Sequence, residues 1–400
     1  MAHAIGYKCA IRRCSLSPLR LNYNSGMNSR IILASLVLFC MVQESGGQTK
    51  SKINYKTWLN PKVRSMKVGM HGPYVRLDKK RILVLEQNAT RISSDSGKTW
   101  SKPTPVFKDP KRYKVNAPAL IRTQQGALVL AFINQAEMVW KWNDKRRDAD
   151  PGTKLPTYVT RSLDDGRTWA KPQKLHDEWT GDLRNIIQTR KGTIIFSSMQ
   201  LWNNPGRHVM LTYSSSDNGA TWKRSNFIDL GGNGHHDGAV EGTIVELKDG
   251  RIWMLIRTNW DYFWEAFSND QGKSWRVIRP SKIQASSSPG LLKRLKSGRL
   301  VLFYNRLMPT GWKTYPRMGG INGRMSPQWS LVPASASREE LSMVFSDDDG
   351  KSWTKPVVVA ARDDQVSYPV VFEIQPGTMW VTSGYGKLRA VIREKDFMKK

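Results

Sequence analysis

The segment from Gly234 to Asn259 combines groups that can do acid–base or anion-binding chemistry with the pattern of buried strands. It reads GHHDGAVEGTIVELKDGRIWMLIRTN, and the part from Thr243 to Ile256 is typical of two buried strands joined by a Lys-Asp-Gly turn. Five titratable or charged side chains flank these strands: His235, His236, Asp237, Glu241 and Arg257. Such groups are rarely buried unless they are paired or take part in chemistry. The segment therefore indicates a functional site. Which chemistry this site can perform depends on the elements that position these side chains.

A short turn motif recurs five times along the chain and organises the elements around this segment. The copies are SSDSGKTW from Ser93, SLDDGRTW from Ser162, SSDNGATW from Ser215, SNDQGKSW from Ser268 and SDDDGKSW from Ser346. The aspartate of each copy can accept backbone N–H bonds within a tight turn, the glycine supplies a positive φ, and the tryptophan begins the next strand. The five aspartates are therefore predicted to be structural: Asp95, Asp164, Asp217, Asp270 and Asp348.

A second repeat consists of two short β-rich runs around a charged or glycine turn. Six such hairpins occur, for example ALIRTQQGALVLAF and VVFEIQPGTMWVTS, and five of them are followed by the turn motif. Radial repetition of four-stranded sheets is a β-propeller. The sequence predicts an all-β fold, a six-bladed β-propeller of four-stranded antiparallel blades, formed as one domain by residues 48–400. Loops are inserted from Asn134 to Thr157 and from Asn305 to Arg338.

The residues that begin the first strand of each hairpin are predicted to meet at one mouth of the propeller, because these strands line the central channel. They are His71-Gly-Pro73, Asn116-Ala-Pro118, Arg184-Asn-Ile186, Val240-Glu-Gly242, Ser287-Ser-Pro289 and Ser367-Tyr-Pro369. Glu241 and Tyr368 occupy the same register on different blades. Polar groups from sequence-distant blades would thus share one pocket.

The five turns are Asp-box repeats, and from roughly Gly69 to Phe397 the chain resembles the sialidase superfamily. Sialidases use a tyrosine nucleophile paired with a glutamate, and three arginines that grip the sugar carboxylate. By resemblance, Arg257 follows Glu241 by 16 residues, as in the family's glutamate-then-arginine segment. Arg338 precedes the last Asp box, as the third arginine does, and Tyr368 in SYPVVFEIQPG matches the nucleophile.

The chemistry that this resemblance implies accounts for the residue types. A 2-keto acid sugar carries its carboxylate on the anomeric carbon, so an attacking carboxylate would be repelled. A neutral phenol avoids that repulsion, and an adjacent glutamate can take its proton. Arginines hold a carboxylate through bidentate, charge-assisted bonds. The sequence therefore predicts an exported glycoside hydrolase that acts on an anionic sugar.

The first blade departs from the family pattern. His71 stands where the family has its first arginine, and only Glu86 precedes the first box where an aspartate general acid is expected. Arg184, at the same register on the third blade, can substitute as a clamp, and His71 and His236 are predicted to contact the substrate. Asp237 is the predicted acid, with three further candidates in a loop: Asp144, Asp148 and Asp150.

Three other interpretations stay open. A polysaccharide lyase could use histidine and tyrosine as base and acid on a uronic acid, with arginine neutralising the carboxylate. A non-catalytic propeller could bind carbohydrate without turnover. Alternatively, Glu241 and Arg257 form only a structural ion pair, and Tyr368 is an ordinary strand tyrosine. No metal or cofactor is predicted, because adjacent histidines at the start of a strand point apart.

The amino-terminal part is predicted to be a leader. Arg30 precedes an apolar run from Ile31 to Val42, and small residues follow, so residues 1–47 are interpreted as a leader with a secretory signal peptide whose true start is Met27. All three cysteines lie within it, which leaves an exported domain without a thiol. The run is too short for a stable membrane anchor. The formal net charge of +30 suits an acidic glycan partner, and no nucleic-acid motif accompanies it.

Overall fold

The computed structural model describes residues 56–311, 317–318 and 334–398. The described residues form six antiparallel sheets with a four-stranded core, arranged as the blades of a β-propeller, so the predicted all-β fold is confirmed. The predicted leader, residues 1–47, lies outside the described residues. None of the helices in the described ranges is long and apolar enough to cross a membrane.

In blades 1 to 5, four strands follow one another in chain order from the channel outwards. Blade 1 contains Tyr74–Arg76, Ile82–Glu86, Ala89–Ser93 and Thr104–Pro105; blade 2 contains Val115–Arg122, Leu128–Asn134, Thr157–Ser162 and Gln173–His176. Blade 3 contains Ile186–Gln188, Ile194–Trp202, Arg207–Ser215 and Lys223–Arg224; blade 4 contains Val240–Glu246, Ile252–Arg257, Tyr262–Ser268 and Val277–Gln284. Blade 5 contains Leu291–Arg294, Leu300–Tyr304, Glu340–Ser346 and Val357–Ala361; blade 6 begins with Ser367–Gln375, Thr378–Tyr385 and Arg389–Arg393.

The ring is closed by residues from the amino-terminal side of the domain. The strand Arg64–Ser65 pairs antiparallel with Arg389–Arg393 and supplies the outermost strand of blade 6. The strand Trp58–Leu59 pairs with Val357–Ala361 and adds a fifth strand to blade 5. Because the last blade takes its outer strand from the start of the domain, the two ends of the described chain are held together by backbone hydrogen bonds.

The core lies between neighbouring blades. Between blades 3 and 4, for example, Ile195, Met254 and Trp275 form part of one buried cluster, and comparable clusters separate the other blade pairs. A fully buried aliphatic or aromatic side chain contributes about 1.5–3 kcal/mol to folding. The sheets are therefore buried on both faces, and the polar groups of the inner strands are directed to the channel and its mouths.

The Asp boxes connect the third and fourth strands of blades 1 to 5, and their geometry explains the motif. In the box of blade 4, the Asp270 carboxylate accepts the backbone N–H of Ser274 at 2.9 Å and the hydroxyl of Ser268 at 2.8 Å. The box glycine Gly272 has a φ of +77°. A Cβ on Gly272 would lie 2.9 Å from Ile195 of blade 3, so the glycine also permits close contact between blades. The equivalent glycines of the other boxes contact the preceding blade in the same way: Gly97, Gly166, Gly219 and Gly350.

The two predicted insertions lie between the second and third strands of blades 2 and 5. The first contains the 3-10 helix Gln135–Glu137 and a ribbon of Trp142–Asn143 with Asp148–Ala149. The second contains a ribbon of Arg317–Met318 with Ala334–Ser335. A second 3-10 helix, Glu394–Asp396, follows the last strand of blade 6. Since inner strands start and second strands end at the same mouth, both insertions leave their blades at the mouth that carries Glu241 and Tyr368.

Candidate active site

Tyr368, Glu241 and Arg257 form a contiguous cluster at the mouth. The Tyr368 hydroxyl donates to the Glu241 carboxylate, with distances of 3.1 Å to Oε1 and 3.3 Å to Oε2. The Arg257 guanidinium pairs with Glu241 Oε2 at 2.7 Å and donates to the Tyr368 hydroxyl at 3.2 Å. The side chains of Arg257 and Glu241 are only 4% and 7% exposed. The phenol is thus held between a buried carboxylate and a buried cation.

The backbone at this cluster is strained. Glu241 has a φ of +47° and Tyr368 a φ of +59°, values that cost a residue with a side chain of the order of 1–3 kcal/mol. Ala117 occupies the same register in blade 2 and has a φ of +43°. At Ala117 and Glu241 the pairing with the second strand shifts register, which is the pattern of a β-bulge. The bulges turn these side chains out of the ladder at the start of the inner strand.

Two further arginines lie against Tyr368. The Arg184 guanidinium carbon lies 5.3 Å from the centroid of the Tyr368 ring, and that of Arg338 lies 5.6 Å away. Arg184 donates to the Pro369 carbonyl at 2.8 Å, and Arg338 donates to the Ser287 carbonyl at 2.9 Å. No partner is found for Nε of either arginine within the described part of the chain. These Nε atoms are buried, and the two guanidinium groups together bring fixed positive charge to the Tyr368 ring, which favours an anionic ligand there.

The arginines control the ionisation of the cluster. Burial opposes ionisation of Glu241, but the charges of Arg257 and Arg184, and the hydrogen bond from Arg257, outweigh it and hold the pKa of this carboxyl below its ordinary value. Burial and the neighbouring Glu241 charge raise the pKa of Tyr368, although Arg257 and Arg338 oppose that rise. At neutral pH the pair is therefore a phenol donating to a carboxylate, so proton transfer from Tyr368 to Glu241 has a ready path.

Two adjoining cavities open beside Tyr368. The central channel encloses about 440 Å³. A second cavity of about 630 Å³ lies between blades 1, 2 and 6. His71, Asp182 and Tyr368 line both. A sugar ring that contacts Tyr368 has room on the side where Asp182 lies.

Asp182 is the site residue that sequence reasoning missed. It lies in the connection from blade 2 to blade 3, two residues before Arg184, and its carboxylate is 4.0 Å from the Arg184 guanidinium. Burial and the charge of Glu241 raise the pKa of Asp182 to about 7, against the opposing charges of Arg184, Arg257 and Arg338. Its position just before the blade 3 strand start was the one available signal, and TGDLRN carries no motif that would have distinguished it.

The remaining predicted residues occupy different environments. His71 lines the mouth, and burial and the charges of Arg389 and Arg184 lower its pKa to about 4, so the imidazole is neutral at pH 7. The His236 carbonyl accepts from Asn259 at 2.8 Å, and burial and the charge of Arg257 lower the pKa of its ring. The Asp237 carboxylate accepts backbone N–H groups of Asn233 at 3.0 Å and Gly238 at 2.9 Å. Its carboxylate therefore stabilises its own loop.

Two of the three loop candidates for a general acid are held by other groups, and the third is exposed. Asp148 is buried and accepts the backbone N–H groups of Ala149 and Asn204, each at 2.9 Å. Asp150 pairs with Arg146 at 2.6 Å, and Asp144 is exposed. Within the described ranges, no three histidine, cysteine, aspartate or glutamate side chains form a group that could hold a metal ion.

The fold and this mouth cluster define a sialidase-like β-propeller. The model of the family of BNR repeat-like domains matches residues 86–381, and the chain belongs to that family.

Solved structures show the same fold at low sequence identity. A protein of unknown function from Dyadobacter fermentans is 16% identical, with a TM-score of 0.56 over 83% of this chain and 98% of that one. The Hadza microbial sialidase Hz136 is 14% identical, with a TM-score of 0.56 over 82% of this chain and 66% of that one. The NanB sialidase from Streptococcus pneumoniae is 14% identical, with a TM-score of 0.52 over 85% and 70%. These similarities establish the fold, and the chemistry has to be argued from the site.

Proposed function

We propose that this protein is a retaining glycoside hydrolase that removes a terminal sugar carrying a carboxylate next to its anomeric carbon, as in sialic acid or a related acidic sugar. The observation that carries the proposal is the hydrogen bond from the Tyr368 hydroxyl to the ion-paired Glu241 carboxylate. At the wall of a cavity and beside buried arginines, a phenol that donates to a carboxylate has the arrangement of a nucleophile with its base in place. The sialidases among the structural neighbours support a glycan substrate.

The reaction follows from the geometry of the cluster. Tyr368 Oη attacks the anomeric carbon while the bond from that carbon to the leaving-group oxygen breaks; the phenolic proton passes to Glu241, and a general acid gives the leaving-group oxygen its proton. Water then attacks the same carbon and the Tyr368–carbon bond breaks; the proton returns from Glu241 to the phenolate, and the proton that water loses restores the general acid. Two displacements retain the anomeric configuration. Arg257 lies within hydrogen-bond distance of the phenol oxygen and stabilises negative charge on it.

The sugar carboxylate is assigned to the guanidinium groups of Arg338 and Arg184, because both flank Tyr368 and neither forms a close ion pair such as that of Arg257 among the described residues. Arg257 is less available to the substrate, because its guanidinium already pairs with Glu241 and donates to Ser287 Oγ at 3.2 Å. The neutral His71 at the mouth fits a contact with a sugar hydroxyl. An amino-terminal signal peptide, if cleaved, would place this enzyme outside the cell together with such glycans.

The test is turnover by residues 48–400 of an aryl sialoside and of a panel of uronic-acid and sulfated glycans. Tyr368→Phe is compared with Tyr158→Phe, a matched variant whose hydroxyl also donates to a glutamate, Glu137, but on the outer side of blade 2. We expect Tyr368→Phe to lose roughly 10³-fold or more in kcat, the scale of removing a nucleophile. Tyr158→Phe should stay within about twofold of wild type.

Product analysis separates the alternatives. Release of the sugar with retained anomeric configuration, measured by NMR, supports the proposal. An unsaturated product that absorbs in the near ultraviolet would instead establish a lyase. Glycan binding without turnover, unchanged in Tyr368→Phe, would leave a binding propeller and refute the hydrolase.

A further inference from the structure

We propose that Asp182 is the general acid that protonates the leaving-group oxygen, an inference that rests on the function proposed above. Asp182 lies in the connection between blades 2 and 3. The sequence pattern instead predicted an acid in blade 1, at Asp237, or in the blade 2 insertion at Asp144, Asp148 or Asp150. Three properties support the assignment: access to substrate, the charges around the carboxyl, and the occupation of the other carboxyl groups.

A proton donor has to reach the glycosidic oxygen, so its carboxyl must be accessible from the cavity that holds the sugar. The Asp182 side chain is 33% exposed, whereas that of Glu241 is 7% exposed. Asp182 lines both cavities that Tyr368 lines. Of the two carboxyl groups in this cluster, Asp182 is therefore the one that faces the space available to substrate.

The two carboxyl groups are close enough to influence each other. A Cβ on Gly181, the residue before Asp182, would lie 3.8 Å from Cγ of Glu241, so the chain at Asp182 passes directly beside the Glu241 side chain. Two neighbouring carboxyl groups resist simultaneous ionisation, and one of them keeps its proton to a higher pH. Arg257 pairs with Glu241 at 2.7 Å, while Arg184 stands 4.0 Å from Asp182. The stronger pairing makes Glu241 the ionised member and leaves the proton on Asp182.

This division of roles is the one that the reaction requires. Glu241, ionised, accepts the phenolic proton from Tyr368. Asp182, protonated, gives its proton to the leaving-group oxygen as the bond to the anomeric carbon breaks, and then takes a proton from the attacking water in the second displacement. Burial and the Glu241 charge raise the pKa of Asp182 to about 7, which suits a donor that is restored in each cycle near neutral pH.

The other acidic groups near the mouth are held in different interactions. Asp237 is 2% exposed, and both its oxygens accept backbone N–H groups. Glu86 lines the second cavity at its rim, but its carboxylate pairs with Arg91 at 3.3 Å. Neither carboxyl group is both open to the cavity beside Tyr368 and without a partner from its own blade or loop.

The test uses Asp182→Asn with two glycosides of the same acidic sugar, one with a 4-nitrophenol leaving group and one with a simple alcohol. A good leaving group departs without protonation, whereas an alcohol does not. We expect kcat/KM to fall roughly 10²–10⁴-fold on the alkyl glycoside and less than about tenfold on the aryl glycoside. Retained aryl activity shows that the variant is folded. The alkaline limb of the wild-type pH profile should disappear in the variant.

Asp237→Asn is the matched control and should change both substrates by the same factor. If Asp182→Asn loses equal activity on both glycosides, or keeps the alkaline limb, Asp182 is not the acid, and the proposed function stands on the Tyr368 result. If Asp237→Asn instead shows the leaving-group dependence, the acid is Asp237. If the wild-type protein hydrolyses no acidic glycoside, the proposed function and this inference fail together.

Discussion

Two hydrogen-bonded tyrosine–glutamate pairs occur in the part of the chain that the structure describes, each with a cation beside it, and their surroundings differ. In blade 2 the Tyr158 hydroxyl donates to Glu137 at 2.5 Å, and Lys174 binds the same carboxylate at 2.7 Å. At the mouth the Tyr368 hydroxyl donates to Glu241 at 3.1 Å, and Arg257 pairs with that carboxylate at 2.7 Å. By hydrogen-bond length alone, the blade 2 pair is the tighter of the two.

The two tyrosine–glutamate pairs differ in their surroundings. Tyr158 pairs in regular register with the second strand of its blade, Leu128–Asn134, and its Lys174 partner is 33% exposed at the outer side of the blade. Tyr368 has a φ of +59°, and its Arg257 partner is 4% exposed. Three guanidinium groups contact or flank Tyr368, whereas the ammonium groups of two partly exposed lysines, Lys174 and Lys154, lie 2.7 and 4.0 Å from the Glu137 carboxylate.

A phenol–carboxylate contact is therefore not itself a catalytic feature. Catalysis requires the contact to be placed at a cavity, with enough fixed positive charge to stabilise a phenolate and to bind an anion. The mouth pair meets these conditions at the cost of strained backbone and buried charge. The blade 2 pair lines a separate cavity on the outer side of the blade, but the lysines beside it are partly exposed, and among the described residues it has no buried guanidinium to stabilise a phenolate. Matched substitutions in the two pairs can test this contrast.

The glutamates of the two pairs should respond differently to the same isosteric change. Glu241→Gln removes the proton acceptor for Tyr368, so we expect kcat to fall roughly 10²–10⁴-fold, the contribution of general-base catalysis. Glu137→Gln should leave kcat within about twofold, because the blade 2 pair lies outside the two cavities that Tyr368 lines. Steady-state kinetics on the best glycoside of the panel measures kcat of both variants. Equal losses of kcat would show that Glu241 has no role that Glu137 lacks.

Removing the cation should also reduce activity at the mouth pair and not at the blade 2 pair. Arg338→Met removes a donor for the sugar carboxylate, and we expect kcat/KM to fall roughly 10- to 150-fold, which corresponds to about 1.5–3 kcal/mol. The free energy of unfolding should not decrease, because burial disfavours the Arg338 charge and lowers its pKa, and no ion pair to it is found among the described residues. Lys174→Met should instead leave kinetics unchanged and lower the free energy of unfolding by about 0.5–1 kcal/mol. Arg338 is structural if its variant unfolds more easily and binds substrate normally.

The position of the Tyr368 ring can be changed by a substitution that keeps its hydroxyl and its hydrogen-bond partners. A Cβ on Gly384 would lie 3.1 Å from Cβ of Tyr368, so Gly384→Ala should displace the ring by a few tenths of an ångström. We expect a loss of roughly three- to tenfold in kcat, since small misplacements of reacting groups are costly. Gly69→Ala is the control, because nothing lies within 4 Å of its added Cβ. A normal kcat in Gly384→Ala would show that the mouth tolerates movement of Tyr368.

The raised pKa of Asp182 also predicts a small pH dependence of stability. Its folded-state pKa is about 7, and the unfolded value is about 3.9, so the folded protein binds more protons between these values. The stability contribution of Asp182 therefore falls as the pH rises from about 4 to 7. Relative to Asp182→Asn, wild type should lose about 1–3 °C of Tm across this window. Parallel melting curves of the two proteins measure it, and a constant difference would show that Asp182 ionises normally.

Much of the fold could be predicted because its determinants are local. The Asp boxes are eight-residue turns whose serine, aspartate and glycine interact within four residues of one another. The motif can therefore be recognised in the sequence without knowledge of tertiary contacts. The hairpins likewise carry their own strand and turn patterns. Counting them predicts six blades and puts Glu241 and Tyr368 at equivalent strand starts. The closing strand Arg64–Ser65 was not predicted, because it has two residues and no pattern of its own.

The candidate site, like the fold, could be predicted from the sequence only in part. The sequence alone determined the repeats, the number of blades and the register that carries Glu241, Arg257 and Tyr368 to one mouth. The tertiary structure decided that the backbone is strained at Glu241 and Tyr368, that Arg184 and Arg338 approach the same ring, and that Asp182 stands beside Glu241. The physical reason is the distance along the sequence over which each interaction acts. Turn hydrogen bonds join residues a few positions apart. A pKa shift caused by a neighbouring charge, or a cation over a ring, depends instead on distances of a few ångströms between residues of different blades, and Asp182 and Tyr368 are 186 positions apart in the sequence.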